Sequence, residues 1–159
     1  MTPAVRLLQA HGIVHALHTY ACDDDGDWGM SAARALELDP AQVFKTLLLT
    51  LDDRRPMVAL IPVNTRLDLK AAAAAGNGRR AGMTPPADAE RLTGYVVGGI
   101  SPLGQRKVLP TLVDVSAETL PRIFVSAGRR GLQLELTATD LLRLLQARLV
   151  PIARPRNTR

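Results

Sequence analysis

Apolar positions in this chain repeat with a period of two in several short stretches, which predicts a protein rich in strands. The clearest example is the segment 41–51, AQVFKTLLLTL. Alternation there places Phe44 and Leu48 on one face of a strand and Leu49 with its odd-numbered neighbours on the other. The predicted strands are 13–20, 41–51, 57–63, 95–97, 111–115, 123–126 and 132–136.

Helices are predicted between these strands from their capping residues and helix-forming composition. Thr2 with Pro3 predicts the start of a first helix, and Ser31 predicts the cap of a second. Thr137 with Asp140 is typical of the capping box of a last helix. The predicted helices cover about 3–11, 32–36, 66–76, 88–92 and 138–150.

This order of elements indicates a mixed α+β fold, in which helices flank a curved, barrel-like sheet of six to seven strands. The chain has 159 residues, enough for one domain with a sizeable core. We expect that domain to span residues 1–150. A basic tail, 151–159, follows and is expected to fray.

Composition narrows the type of core and the cellular setting. Apolar residues make up 47% of the chain but aromatic residues only 3%, so the core must consist mainly of Leu, Val and Ala. The single Cys22 excludes an internal disulfide. No stretch of about 18 apolar residues occurs. We therefore expect a soluble cytoplasmic protein with no membrane contact.

The chain is basic, with a net charge of +5 and a pI near 10.1. Basic pairs occur at Arg79-Arg80, Arg106-Lys107 and Arg129-Arg130, and the tail adds more arginines. Such pairs near the mouth of a site would bind phosphate by charge alone, which predicts a polyanionic partner. The alternative is an ordinary solvated basic surface.

A glycine-containing turn follows the predicted strand 95–97. Adjacent glycines free the backbone there, and Pro102 stiffens the exit of the loop. The amides that this turn could direct at a ligand are those of Gly98, Gly99, Ile100 and Ser101. Amides converging on one point would stabilise an oxyanion or a phosphate. The alternative is a tight turn with no ligand.

Lys45 is the second candidate for chemistry, because it lies within an apolar strand. An unpaired buried ammonium is costly, so this lysine either extends to the edge of the sheet or serves a function. Common nucleotide-binding, nucleophile-elbow and zinc-ligand spacings are absent. The acidic run 23–27 lacks the glycine position and closing acid of a calcium loop, and its charge disfavours Cys22 as a nucleophile.

Several long strings together resemble the YbaK/EbsC family of free-standing Cys-tRNA(Pro) deacylases. They are MTPAVRLL at 1–8, HTY at 18–20, VFKTLLL at 43–49, TGYVVGGISPLGQ at 93–105, LPTLVD at 109–114 and SAGRRGLQLEL at 126–136. The family is similar to the editing domain inserted in bacterial prolyl-tRNA synthetases. The resemblance implies a single α/β domain that cleaves the ester of mischarged tRNA without a cofactor or metal. It also allows prolyl-tRNA synthetase as a further partner.

The resemblance carries site residues with it. Those implied to take part in catalysis are Lys45, Gly98, Gly99, Ile100 and Ser101, and those implied to bind substrate are Tyr20, Trp28, Thr46, Pro102, Ser126 and Gln133. Gln133 departs from the family, which has an acidic residue there, so an acid, base or ammonium-binding role is not carried over. Asp114 or Glu135 could replace that acid only if the geometry allows it.

No residue stands out as the attacking nucleophile. The resemblance implies that the thiol of a cysteinyl substrate attacks its own ester and leaves as a cyclised cysteine. A positioned water is the alternative. Two other functions remain open: clearance of Ala-tRNA(Pro) on the same scaffold, and binding of the tRNA acceptor end without catalysis.

Overall fold

In residues 1–22 and 26–156, which the computed structural model describes, the chain forms five α-helices and ten strands. The helices are α1 (Pro3–Ala10), α2 (Trp28–Ala35), α3 (Leu69–Ala75), α4 (Pro86–Thr93) and α5 (Ala138–Leu145). The strands are β1 (Ala16–Thr19), β2 (Phe44–Leu51), β3 (Arg55–Pro62), β4 (Thr65–Leu67), β5 (Ala81–Met83), β6 (Thr111–Asp114), β7 (Arg122–Ser126), β8 (Leu132–Thr137), β9 (Arg148–Val150) and β10 (Ala153–Pro155). Most of the acidic run 23–27 lies outside the described residues, so the structure does not address its rejection as a calcium loop.

The strands form a mixed α+β fold, as predicted, but they divide into three sheets. The largest has the order β5-β2-β3-β6-β9, with parallel pairs on both sides of β6 and antiparallel pairs elsewhere. The strands β1-β8-β7 form an antiparallel sheet, and β10 pairs with β4. A bridge between Val43 and Phe124 links the first two sheets. The described strands do not close into one barrel, a detail that alternation cannot predict because it indicates a buried face and not the pairing partner.

Strand β2 separates two hydrophobic clusters, and the predicted alternation of its side chains is confirmed. Phe44 and Leu48 pack into the cluster formed with α1, α5, β7 and β8. Leu49 and Leu51 pack into a second cluster, with the alanines of α3 behind them. Since both faces of β2 are covered, its polar side chains can reach open space only where the covering ends.

The first and last helices begin where their capping residues predict. Thr2 Oγ1 accepts a hydrogen bond from Val5 N at 3.3 Å, and Thr137 Oγ1 accepts one from Asp140 N at 3.1 Å. The predicted cap of the second helix is wrong. That helix begins at Trp28, one turn earlier, and Ser31 is buried inside it.

Residues 95–97 are not a strand, contrary to the prediction. Tyr95 is buried and its hydroxyl donates to the carbonyl of Leu103 at 2.7 Å, which ties the two ends of an irregular loop together. Burial raises the pKa of Tyr95 to about 12. Val96 is half exposed, so this apolar run does not bury one face as a strand would. Tyr95 alone fixes it to the core.

The described part of the C-terminal tail, residues 151–156, packs against the rest of the chain. Ile152 is fully buried, and the Asp114 carboxylate accepts hydrogen bonds from the amides of Ile152 and Ala153 at 3.0 and 2.9 Å. β10 then pairs with β4. This pairing carries the chain end back across the molecule. No helix in the described ranges is both long and apolar enough to cross a membrane.

Candidate functional site

A cavity of about 520 Å³ lies where the start of α2, the first residues of β2 and the glycine turn meet the ends of β7 and β8. Its size falls within the usual range of roughly 300–1,000 Å³ for small-molecule sites. It is lined by Gly26, Asp27, Trp28, Gly29, Val43, Phe44, Lys45, Thr46, Leu47, Val97, Gly98, Ile100, Ser126, Gln133 and Arg156.

The structure brings most of the residues singled out from the sequence to this cavity. Those that line it are Trp28, Lys45, Thr46, Gly98, Ile100, Ser126 and Gln133. They come from five separate parts of the chain, so only the tertiary structure makes them neighbours. Four others, Tyr20, Gly99, Ser101 and Pro102, are not among its lining residues.

The glycine turn offers fewer amides than the sequence suggested. Gly99 N donates to the carbonyl of Val96 at 2.9 Å, so this amide is already used within the turn. The amides of Gly98 and Ile100 have no acceptor among the described residues, and both residues line the cavity. An oxyanion or phosphate could therefore be bound here by these two amides and not by four in succession.

Close packing explains why glycine occupies both positions of the turn. Gly98 has a φ of +91°, and a Cβ on it would lie 2.8 Å from the ring of Trp28. A Cβ on Gly99 would lie 2.6 Å from the Cα of Arg129. Glycine is thus required at position 99 because the backbone of the neighbouring loop packs against it. Its amide is not available for the catalytic role that the resemblance implied.

Ser101 and Pro102 lie on the side of the turn that faces the protein interior and not the cavity. Both are buried, and Ser101 Oγ accepts a hydrogen bond from Leu103 N at 3.3 Å. The carbonyl of Ser101 accepts from Gln105 Nε2 at 3.0 Å. The serine hydroxyl is therefore engaged within its own loop, away from the cavity.

Three charged side chains, Asp27, Lys45 and Arg156, share one wall of the cavity. Arg156 donates to Asp27 Oδ2 at 2.9 Å and to the carbonyl of Val63 at 2.6 Å. Lys45 makes no hydrogen bond or ion pair with the described residues and is thus the cation that remains available to a ligand.

The pKa shifts of this group follow from burial and charge. Burial lowers the pKa of Lys45, and the positive charge of Arg156 lowers it further against the opposing effect of Asp27. Burial tends to raise the pKa of Asp27, but the hydrogen bond and charge of Arg156 outweigh it, so the pKa lies below its ordinary value. Asp27 and Arg156 were both missed by the sequence analysis. Asp27 was hidden in an acidic run, and Arg156 belonged to a tail expected to fray.

Two buried polar atoms of the cavity have no hydrogen-bond partner in the described structure, Thr46 Oγ1 and Gln133 Oε1. Gln133 is only 5% exposed. An unsatisfied buried oxygen is costly, which is the condition expected of a group that awaits a ligand donor. Tyr20 lies beside Gln133: burial raises the pKa of its hydroxyl, and the Gln133 amide opposes that rise.

Neither alternative acid reaches the cavity. Asp114 is occupied by the amides of the C-terminal segment. Glu135 accepts from His18 Nε2 at 2.8 Å and also pairs with Arg122. Burial tends to raise the pKa of Glu135, but these two partners lower it overall. Neither Asp114 nor Glu135 can therefore replace the acid that the family has at the position of Gln133.

Comparison with known proteins agrees with the fold. The profile of the aminoacyl-tRNA editing domain family matches residues 30–144. A protein of Enterococcus faecalis with the provisional name Cys-tRNA(Pro)/Cys-tRNA(Cys) deacylase EbsC is 35% identical over 151 residues, covering 95% of this chain and 92% of that protein.

Solved structures share the same fold at lower identity. The crystal structure of a hypothetical protein aligns with a TM-score of 0.86 at 19% identity, covering 96% of this chain and all of that one (100%). A crystal structure described as a candidate trans-editing enzyme for prolyl tRNA synthetase aligns with a TM-score of 0.80 at 22% identity, covering 97% of this chain and 98% of that one. The chain belongs to the aminoacyl-tRNA editing domain family, which confirms the resemblance drawn from its sequence.

The contact between Gly98 and Trp28 can be tested by fluorescence, because Trp28 is the single tryptophan of the chain. In Gly98→Ala the new Cβ would displace the ring, so we expect emission at longer wavelength and stronger quenching by acrylamide. Gly82→Ala is the matched control, since a Cβ there meets nothing within 4 Å. Identical spectra for Gly98→Ala and wild type would contradict the contact.

The charge coupling on the cavity wall predicts a pKa change at Lys45. Arg156→Ala removes a nearby positive charge, and it also removes one partner of Asp27, whose negative charge acts on Lys45; both effects raise the pKa of Lys45. Asp27→Asn should lower it. With three lysines in the chain, NMR titration of labelled lysine side chains can follow each separately. Arg154→Ala, which removes a partner of Asp68, is the control and should leave Lys45 unmoved. A fall in the Lys45 pKa in Arg156→Ala would refute the coupling.

Proposed function

We propose that this protein is a trans-acting deacylase that clears cysteine from mischarged tRNA(Pro). The observation that carries the proposal is the composition of the cavity wall. It combines a lysine, two backbone amides and two buried oxygens that have no partner among the described residues, and none of the described lining residues is a histidine or a cysteine. Such a site can bind and orient an aminoacyl ester, but it offers no conventional pair of nucleophile and base.

Ser126 is the one hydroxyl that needs separate consideration as a nucleophile. Its Oγ accepts a hydrogen bond from the amide of Gly128 at 3.2 Å, which holds it in the β7–β8 turn. No histidine or free carboxylate among the lining residues is placed to take its proton. Ser126 is better suited to orienting the substrate.

A cysteinyl substrate brings its own nucleophile. Its thiol has an ordinary pKa of about 8.5, so a few per cent is thiolate at neutral pH. The sulfur attacks the ester carbonyl, the sulfur–carbon bond forms, and the carbon–oxygen bond to the terminal ribose breaks. The ribose hydroxyl recovers the proton that the thiol released, and cysteine leaves as a cyclic thioester.

The cavity residues have distinct parts in this reaction. The amides of Gly98 and Ile100 are the donors available to the oxyanion that develops on the carbonyl. The oxygen of Gln133 can accept from the substrate's amino group, which replaces charge attraction with a neutral hydrogen bond. The ammonium of Lys45 stabilises the negatively charged acceptor end or the departing ribose oxygen.

The relatives support the choice of substrate. One carries a provisional name as a Cys-tRNA(Pro)/Cys-tRNA(Cys) deacylase, and one solved structure is described as a candidate trans-editing enzyme for prolyl tRNA synthetase. On this proposal the synthetase is the source of the mischarged tRNA, and a direct complex between the two proteins is a natural extension.

The substrate's role as nucleophile predicts a clear order among aminoacyl-tRNAs. Cys-tRNA(Pro) should be deacylated fastest, while Ser-tRNA(Pro) and Ala-tRNA(Pro) should react slowly because they lack a thiol. S-methylcysteinyl-tRNA(Pro) should bind but resist cleavage. Single-turnover deacylation of these four substrates measures this. Rapid cleavage of the S-methyl substrate would show that water attacks, and a preference for alanine would identify an alanine-clearing enzyme. Binding without any turnover would leave only an acceptor-end binding module.

Replacement of Lys45 tests the proposed site directly. In Lys45→Ala we expect deacylation to fall by about 10²- to 10³-fold, the usual loss for a group that stabilises charge in the transition state. The melting temperature should not fall, because the ammonium makes no hydrogen bond or ion pair with described residues. Lys70→Ala, on α3 and away from the cavity, is the control. Wild-type turnover in Lys45→Ala would contradict the role.

A further inference from the structure

The β7–β8 turn brings two exposed arginines, Arg129 and Arg130, to the rim of the cavity. The Arg130 guanidinium lies 4.4 Å from the centre of the Trp28 ring, and its Nε donates to the carbonyl of Val97 at 2.8 Å. Trp28 and Val97 both line the cavity. Arg130 is therefore fixed at the entrance by a cation–π contact and a hydrogen bond.

The backbone of this turn is held on several sides. The amide of Gly128 donates to Ser126 Oγ, and the carbonyl of Gly131 accepts from Tyr20 N at 3.0 Å. Gly99 packs directly against the backbone of Arg129. The position of the two arginines is thus set by the same glycine turn that forms the cavity wall.

Neither arginine has a carboxylate partner within the described residues, so their charge is available. The pair Arg79-Arg80 provides a contrast. Arg80 pairs with Asp53, and the Asp52 carboxylate accepts hydrogen bonds from both backbone amides of that pair. Asp52 follows the far end of β2, seven residues beyond Lys45, which corresponds to roughly 23 Å along a strand. Among the described residues, the pair at the cavity thus has no carboxylate partner, whereas in the distant pair Arg80 is ion-paired.

We propose that Arg129 and Arg130 bind the phosphates of the single-stranded 3′ end of the tRNA as it enters the cavity. This inference rests on the proposed function, which puts the ester of the terminal ribose inside. The phosphate of the terminal nucleotide is then one ribose away from the ester, at the rim. Guanidinium groups bind phosphate through paired, charge-assisted hydrogen bonds. Since the described residues supply no competing carboxylate, the contact requires no existing ion pair to break.

The proposed contact between Arg130 and a phosphate also gives a role to Trp28. Arg130 already covers the ring and Gly98 packs against it, so this tryptophan orients the arginine and is not an open platform for a base. Arg129, whose side chain makes no hydrogen bond or ion pair with the described residues, can follow the strand outward. We therefore expect recognition of the backbone without reading of sequence.

The test compares two double variants of equal charge change, Arg129→Gln with Arg130→Gln, and Arg79→Gln with Arg80→Gln. Binding of tRNA(Pro) that carries no amino acid is measured across a range of salt concentrations. Loss of two phosphate contacts should reduce the slope of log affinity against log salt by about 0.7 for each contact. It should also weaken binding by at least about tenfold at low salt, since charge-assisted hydrogen bonds to phosphate are lost. The Arg79/Arg80 variant should bind as wild type does.

A second measurement separates this inference from the proposed function. Cysteinyl-adenosine carries the ester but no phosphate, so the Arg129/Arg130 variant should cleave it at the wild-type rate while losing efficiency on Cys-tRNA(Pro). The single variant Arg129→Gln leaves the contact between Arg130 and Trp28 in place. It should still lose part of the efficiency on Cys-tRNA(Pro), which shows that the loss does not come from a disturbed Trp28. If wild type cleaves neither substrate, the proposed function fails. The salt dependence of tRNA binding then still tests whether Arg129 and Arg130 contact phosphates. An unchanged slope in the Arg129/Arg130 variant, or a loss of affinity without a change of slope, would overturn the inference.

Discussion

The site depends on the burial of β2 on both faces. Its even and odd side chains belong to different hydrophobic clusters, so most of the strand is enclosed. Lys45 lies at the start of the strand, where the covering layers separate and the cavity begins. An unpaired ammonium is costly to bury, and Lys45 avoids that cost by facing the cavity. The architecture of the core thereby determines where a cation can face a ligand.

The C-terminal segment completes the cavity and adjusts its charge. β10 joins β4, and the chain then delivers Arg156 between Asp27 and Val63. This arginine pairs with Asp27 and lowers the pKa of Lys45 by its charge. Lys45 is left without a partner among the described residues. The charged residues that the structure describes on this wall are Asp27, Lys45 and Arg156, and together they carry a net positive charge, which suits a substrate that ends in a phosphodiester chain.

The glycine turn acts through packing as much as through its amides. Gly98 admits the Trp28 ring, and Gly99 admits the backbone of Arg129. These two contacts connect α2, the turn and the β7–β8 connection into one rim around the cavity. A side chain at either glycine would separate these elements. The turn therefore has a structural reason for both glycines, and the amides of Gly98 and Ile100 remain for chemistry.

Features that depend on neighbours in sequence were predictable. The alternation of β2, the caps at Thr2 and Thr137, and the hairpin strands β7 and β8 rest on contacts within a few residues, so their patterns are visible in the chain. The family could also be named, because long strings of residues match it. The positions of Lys45, Gly98, Ser126 and Gln133 in one site came from that resemblance and not from periodicity.

Only the tertiary structure decided the rest. Tyr95 looked like a strand residue but serves as an anchor, because its hydroxyl finds Leu103 across a loop. Gly99 looked like an oxyanion donor until its amide was found bonded to Val96. Arg156 looked like part of a loose tail, yet it reaches Asp27, 129 residues away in sequence. Each of these outcomes depends on a contact between distant segments, and the free energy of such a contact has no signature in the local pattern of either segment.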